Sequence, residues 1–94
     1  MMANNLGNIK KDRLWVTVRS RQGLAFEGEL AAVSSINPAG PFDVLPEHTN
    51  FVCMVANKLI LRKMDGKVEE INLDKGVLTV DKNRVDVFIG VGTL

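Results

Sequence analysis

One histidine and one cysteine stand close together in this chain, His48 and Cys53, with Asp43 and Glu47 just upstream. Such residue types suit a nucleophile with its general base, or a fragment of a metal site. Spacing argues against both. His48 lies in the turn-forming run Pro46-Glu47-His48-Thr49-Asn50 and Cys53 in the apolar run Phe51–Val55. Nothing in that arrangement makes the two side chains face each other. A working pair also needs a third group to orient the base, and Asp43 and Glu47 qualify by nearness in sequence alone. One His and one Cys fall short of the three or four ligands that zinc takes. The chain has no Gly-rich phosphate loop and no Gly-x-Ser-x-Gly elbow. His48 is therefore expected to be a turn histidine bonded to nearby backbone, and Cys53 a small buried hydrophobe. No catalytic residue, metal ligand or cofactor is expected.

The stretch that carries His48 begins at Gly40 and holds two of the three prolines, Pro41 and Pro46. Each proline fixes φ and removes a backbone donor, so neither fits a central strand. Phe42 and Val44 alternate with Asp43, which predicts a very short strand stopped by Pro46. The chain must then turn before Phe51. A stiff corner between strands is a good place to present side chains to a partner.

The rest of the chain predicts strands. Met1–Asp12 is polar and Asn-rich and is expected to be loosely ordered, with the folded domain running over 13–94. Leu14–Arg19 alternates with period two, Leu14, Val16 and Val18 inward. Gly28, inside a strand pattern, suggests a bulge or tight bend. Phe51–Val55 and Lys58–Lys63 are read as strands joined by a two-residue hairpin at Ala56-Asn57. Asp65-Gly66 predicts a type I′ turn before Val68–Leu73. Gly76–Val80 and Arg84–Ile89 form a last hairpin through Asp81-Lys82-Asn83. No stretch holds a 3.6-residue period, so the fold class is all-β, an antiparallel sandwich or barrel in one domain.

Composition narrows function by exclusion. Ninety-four residues suffice to bury roughly two-thirds of the unfolded chain's surface without disulfides. A net charge of +1, from twelve basic and eleven acidic residues, gives no dominant nucleic-acid or anionic-membrane footprint. No apolar run is long enough to span a membrane and no signal peptide precedes Trp15, so a soluble domain inside the cell is expected. Phe51–Val55 and Leu59–Leu61 are apolar on both alternating faces, and Trp15 and Phe88 fall on the outward phase of their strands. A one-sided sheet would place polar residues there. Two readings stand: these side chains cover sandwich corners or lie under the N-terminal segment, or they form a protein-binding face.

Three pieces, in order, resemble one family. Phe26-Glu27-Gly28-Glu29 looks like an early Phe-x-Gly-Glu turn. Val44-Leu45-Pro46-Glu47-His48 looks like a Val-Leu-Pro-Gly-His corner. Gly76-Val77-Leu78-Thr79-Val80, with Asn83–Val87, looks like a closing Gly-x-Leu-x-Val hairpin. Together they resemble the N-terminal β-sandwich domain of the epsilon subunit of F-type ATP synthases, called delta in mitochondria. The likeness runs from about Leu14 to Ile89.

The resemblance implies a flattened antiparallel sandwich of about ten short strands in the rotor's central stalk. It implies binding to the gamma subunit and to the polar loops of the membrane c-ring, coupling ion flow to ATP synthesis without chemistry in this chain. It implies a peripheral place on the cytoplasmic face of the bacterial inner membrane, cytosolic before assembly, with no membrane insertion and no nucleic acid bound. Partner-contacting residues are then expected at Pro41, Phe42, Asp43, Pro46, Glu47 and His48, with Trp15 and Phe88 on the gamma side. The sequence departs from the family at Pro41, which replaces an acid, and at Asp43 and Glu47, which replace glycines. The chain also stops at Leu94, directly after its last strand, so the family's C-terminal helical hairpin, with its braking and ATP sensing, is expected to be lacking. The alternative is a stand-alone sandwich adaptor that adds a peptide strand at an open edge. A barrel binding single-stranded nucleic acid ranks last, for want of aromatics in a basic groove.

Overall fold

The computed structural model describes residues 10–90, so most of the segment expected to be loosely ordered lies outside the described residues. Seven strands follow in chain order: β1 (Leu14–Ser20), β2 (Gly23–Leu30), β3 (Ala32–Asn37), β4 (Gly40–Val44), β5 (Phe51–Arg62), β6 (Val68–Asp81) and β7 (Arg84–Ile89). They form one sheet, ordered β2-β1-β7-β6-β5-β3-β4. The all-β class holds, and no helix occurs among the described residues. One departure from a purely antiparallel sheet is the β1–β7 pair, which runs parallel from Trp15↔Arg84 to Arg19↔Phe88.

Seven strands stand where about ten were expected, because two of them are long and bent rather than broken. Ala56-Asn57 does not form a hairpin: it lies inside β5, which pairs with β6 from Phe51↔Val80 to Arg62↔Val68. Between Ala56 and Asn57 the register slips and leaves Asp74 of β6 as the extra residue. The inward positions of β6 change phase there, from half-buried Ile71 and buried Leu73 to buried Gly76, Leu78 and Val80. An inserted residue reverses which side chains face inward and bends the strand. On β5, Asn57 takes a φ of 72°. A positive-φ asparagine suits a hairpin turn and a bulge equally, and local sequence does not separate the two. Opposite this bend, residues 57–59 of β5 face Ser35 of β3 alone. The buried Ser35 hydroxyl donates to the Lys58 carbonyl at 2.8 Å, satisfying an acceptor that the broken ladder frees.

Two glycine readings are corrected by the same register data. Gly28 is not a bulge: it pairs regularly with Val16, and Phe26-Glu27-Gly28-Glu29 lies within β2 rather than in a turn. The β1–β2 irregularity falls at Ala25, and the chain leaves β2 for β3 at Ala31, whose N–H donates to the Arg62 carbonyl. A Cβ at Gly28 would meet the Phe26 ring at 3.5 Å, an ordinary van der Waals contact. The Asp65-Gly66 hairpin exists, but not as type I′, since Asp65 keeps a negative φ. Gly66 N donates back to the Lys63 carbonyl and Gly66 itself takes a φ of 91°, the three-residue form with one left-handed position.

One core fills the sandwich. β1 contributes Leu14, Val16 and Val18, β7 contributes Val85 and Val87, and the second half of β6 adds Leu78 and Val80. Against them lie Val33, Val44, Leu59, Leu61 and Leu73, from β3, β4 and the other halves of β5 and β6. Fully burying each Val or Leu is worth about 1.5–3 kcal/mol. The inner residues are all leucine and valine, with Phe26, Phe42 and Phe51 packed around them. Gly76 admits no side chain, because a Cβ there would overlap the Phe88 carbonyl oxygen of β7. Gly76→Ala is therefore expected to cost about 1–3 kcal/mol, as overpacking does. In a domain of this size that lowers the midpoint of thermal unfolding by roughly 5 °C or more, measurable by calorimetry. An unchanged midpoint would show that β7 gives way freely at Phe88.

Candidate functional site

The predicted contact residues divide between two surfaces. The first is the corner after β4. That strand is an edge, at one end of the sheet, which is where Pro41 can sit without breaking a ladder. Val44 is fully buried and anchors the strand, while Pro41 and Asp43 point outward. Asp43 accepts a hydrogen bond from the Ser34 hydroxyl at 2.5 Å, across the β3–β4 pair. Phe42 turns in and meets Phe51 edge to face, with ring centroids 6.1 Å apart. The His48 ring lies 5.0 Å from the same Phe51 ring.

The corner itself is a tight turn, with His48 N donating to the Leu45 carbonyl at 3.2 Å. Glu47 is exposed at a φ of 69°, a left-handed conformation that glycine adopts more easily. The position at which the resemblance implies a glycine thus carries a glutamate in a glycine-like backbone. Nδ1 of His48 lies 2.8 Å from the Thr49 carbonyl, so the ring is tied to its own turn, as expected for a structural histidine. Cys53 is half-buried on the inward side of β5, and burial raises its thiol pKa above the ordinary value against an opposing Asn37 hydrogen bond. That shift disfavours a thiolate. Among the described residues no group of His, Cys, Asp and Glu has the arrangement to hold a metal ion.

The second surface is the outer face of the sheet, and register assembles it. Leu24, Arg19, Phe88, Val77 and Met54 are successive cross-strand neighbours over β2, β1, β7, β6 and β5. Phe88 is 51% exposed, Leu24 55% and Met54 44%, and Val52, one step along β5, is 68% exposed. The exposed Arg19 parts Leu24 from Phe88, so the apolar row proper runs over β7, β6 and β5 as Phe88, half-buried Val77 and Met54, with Val52 beside it. Clustered apolar side chains are a different matter from scattered ones. Trp15 shares the face but not the row. Its neighbours are Glu29 and Arg84, and Arg84 pairs onward with Asp81. Phe88 lies four residue steps along β7 from Arg84, a distance of about 13 Å. Arg84 and Asp86, ion-paired at 3.0 Å, occupy the ground between. The apolar row therefore centres on Phe88, with half-buried Trp15 on a charged margin.

Sequence reasoning did not single out Leu24, Val77 or Asn83 as site residues. Val77 is unremarkable until register sets it beside Phe88, and Leu24 until register sets it across Arg19 from Phe88. Asn83 reads as a turn residue, and its contacts lie far away in sequence: Glu47 N donates to its Oδ1 at 2.7 Å and its Nδ2 donates to the Lys10 carbonyl at 3.1 Å. Asn50 reinforces the junction, since its Oδ1 accepts Lys82 N at 2.6 Å and its Nδ2 donates to Asp81 at 3.3 Å.

Residues 13–91 match the family model described as ATP synthase, Delta/Epsilon chain, beta-sandwich domain. The ATP synthase epsilon chain of Sulfurimonas denitrificans is 28% identical over 78 residues, covering 82% of this chain and 60% of the relative. That of Nitratiruptor sp. is also 28% identical, over 79 residues, covering 83% and 61%. This chain thus spans about three-fifths of the length of these curated relatives. In the Euglena gracilis mitochondrial ATP synthase, a structure of OSCP, F1 and c-ring in one rotational state, a chain superimposes with a TM-score of 0.78. It is 20% identical, and the match covers 83% of this chain and 51% of that one. A chain in the central stalk and c-ring of the Tetrahymena thermophila mitochondrial ATP synthase gives 0.69 at 11% identity, covering 86% and 66%. At such identities the superpositions speak for the fold alone. The family model, spanning the sheet from the residue before β1 to beyond β7, decides membership: this chain belongs to the β-sandwich domain family of ATP synthase delta and epsilon chains.

Proposed function

We propose that this domain is a component of the central rotor stalk of an F-type ATP synthase, where it binds the gamma subunit and the c-ring. It couples ion flow to ATP synthesis and hydrolysis mechanically, with no catalysis of its own. Its place is peripheral, on the cytoplasmic face of a bacterial inner membrane. The observation that carries this reading beyond family membership is the apolar row Phe88–Val77–Met54 with Val52, bordered by Arg19. A lone domain in water gains nothing from such a row, whereas a subunit that stays docked buries it. We assign it to gamma, with Trp15 and its ion-paired neighbours at the rim. The Pro41–His48 edge is assigned to the c-ring loops, with Asp43 and Glu47 supplying negative charge near polar loops.

Two experiments follow, both using this chain with the gamma subunit and c-ring of the same genome. Phe88→Glu and Met54→Glu place charge in the row at exposed positions, so folding should persist while gamma affinity falls by tenfold or more in a pull-down titration. Wild-type affinity in both variants, with a native circular dichroism spectrum, would move gamma to another face. Asp43→Asn and Glu47→Gln should weaken c-ring binding by a few-fold and flatten its salt dependence, because exposed charges act through a screened field. An unaltered salt dependence would remove both carboxylates from that contact.

A further inference from the structure

Every hydrogen-bonding group of Asn83 except its own N–H is engaged with a segment remote in sequence. Its Oδ1 accepts Glu47 N, its Nδ2 donates to the Lys10 carbonyl, and its carbonyl accepts Trp15 N at 2.8 Å. The first of these acts on a peptide under local strain. Glu47 holds a φ of 69°, and a non-glycine residue stays in that region only where its surroundings impose it. Two contacts impose it here: the bond from Glu47 N to Asn83, and the turn closed by His48 N on Leu45. The Asn50 side chain fastens the far end of the same corner to Asp81 and Lys82. Both ends of the corner are thereby fixed to the turn that opens β7, the strand bearing Phe88.

We propose that Asn83 is the positioning residue of the Pro46–His48 corner. It holds Glu47 in its left-handed conformation and locks the corner to β7, so that the corner and the Phe88 row move as one body. The inference rests on the assignment of those two surfaces to the c-ring and gamma. A rotor element that transmits torque from one contact to another needs such a link, because a corner free to swing on Thr49 and Asn50 would dissipate displacement locally. Asn83 touches neither proposed partner and acts through Glu47.

The test separates positioning from general stability. Amide hydrogen exchange is followed by NMR on this chain as wild type, Asn83→Ala and Asn83→Asp, and c-ring and gamma binding are titrated in parallel. Asn83→Ala is expected to speed exchange of the Glu47 amide at least tenfold while β6 and β7 amides keep their protection. Asn83→Asp retains an acceptor oxygen and is expected to restore protection at Glu47. C-ring affinity should fall about tenfold in Asn83→Ala, with gamma affinity unchanged. Unchanged exchange at Glu47, equal behaviour of the Asp and Ala variants, or loss of protection spread along β6 and β7 would each overturn the positioning role. Faster exchange at Glu47 with c-ring binding intact would leave the link standing and overturn the assignment of the corner to the c-ring.

Discussion

The bend shared by β5 and β6 is the constraint on which the rest of this domain depends. A single seven-stranded sheet with one face of leucine and valine must fold over that face to exclude water from it. Folding requires that long central strands change direction and that their inward phase be reset on the far side. Asp74 resets it on β6, Asn57 accommodates it on β5, and the Ser35 hydroxyl occupies the carbonyl left over on Lys58. Gly76, just past the bend, lets β6 approach the β7 backbone at Phe88. Without that close approach the parallel β1–β7 pair would stand off from the sheet, and the outer row through Phe88 would not be continuous.

Two surfaces of different character result from one architecture. The outer face carries side chains of alternate strand positions whose partners across the sheet are set by register, and its apolar row borders an Arg84–Asp86 ion pair. The corner is built instead from backbone-fixing residues, Pro41, Pro46 and the left-handed Glu47, backed by the Phe42–Phe51–His48 ring cluster. A flat apolar row suits a stable, buried contact, and a stiff charged corner suits a contact that forms over polar loops. The asparagines at positions 50 and 83 tie the corner to the turn that opens β7, through bonds of 2.6, 2.7 and 3.3 Å to backbone and side-chain groups.

Much of this was legible from residue types. Leu14, Val16 and Val18 alternate, and the structure buries all three completely. Phe42 and Val44 predicted a short strand before Pro46, and β4 ends at Val44 on the sheet's edge. The outward phase of Phe88 was readable from period two, and so was the excess of apolar residues around it. The errors share one cause. Ala56-Asn57 and Gly28 were read through local conformational preference, which marks where backbone can deviate but not whether the chain reverses, bulges or runs straight. Only the partner strand decides that: β6 stays with β5 through Asn57, and Val16 stays with Gly28. The same holds for Asp65-Gly66, where the hydrogen bond of Gly66 to Lys63 selects a three-residue turn over the two-residue form.

The sequence by itself determined the all-β class, the inward phase of β1, the proline-stiffened corner and the motifs that place the chain in its family. Those are properties of neighbours, and steric and hydrophobic preferences act on neighbours directly. The tertiary structure alone decided the parallel pairing of β1 with β7, the phase change at Asp74, the apolar row through Phe88, Val77 and Met54, and the hold of Asn83 on Glu47. Each of these joins residues far apart along the chain. Their meeting is fixed by register across the assembled sheet, and register is set by burial of the whole Leu/Val face at once rather than by any one segment.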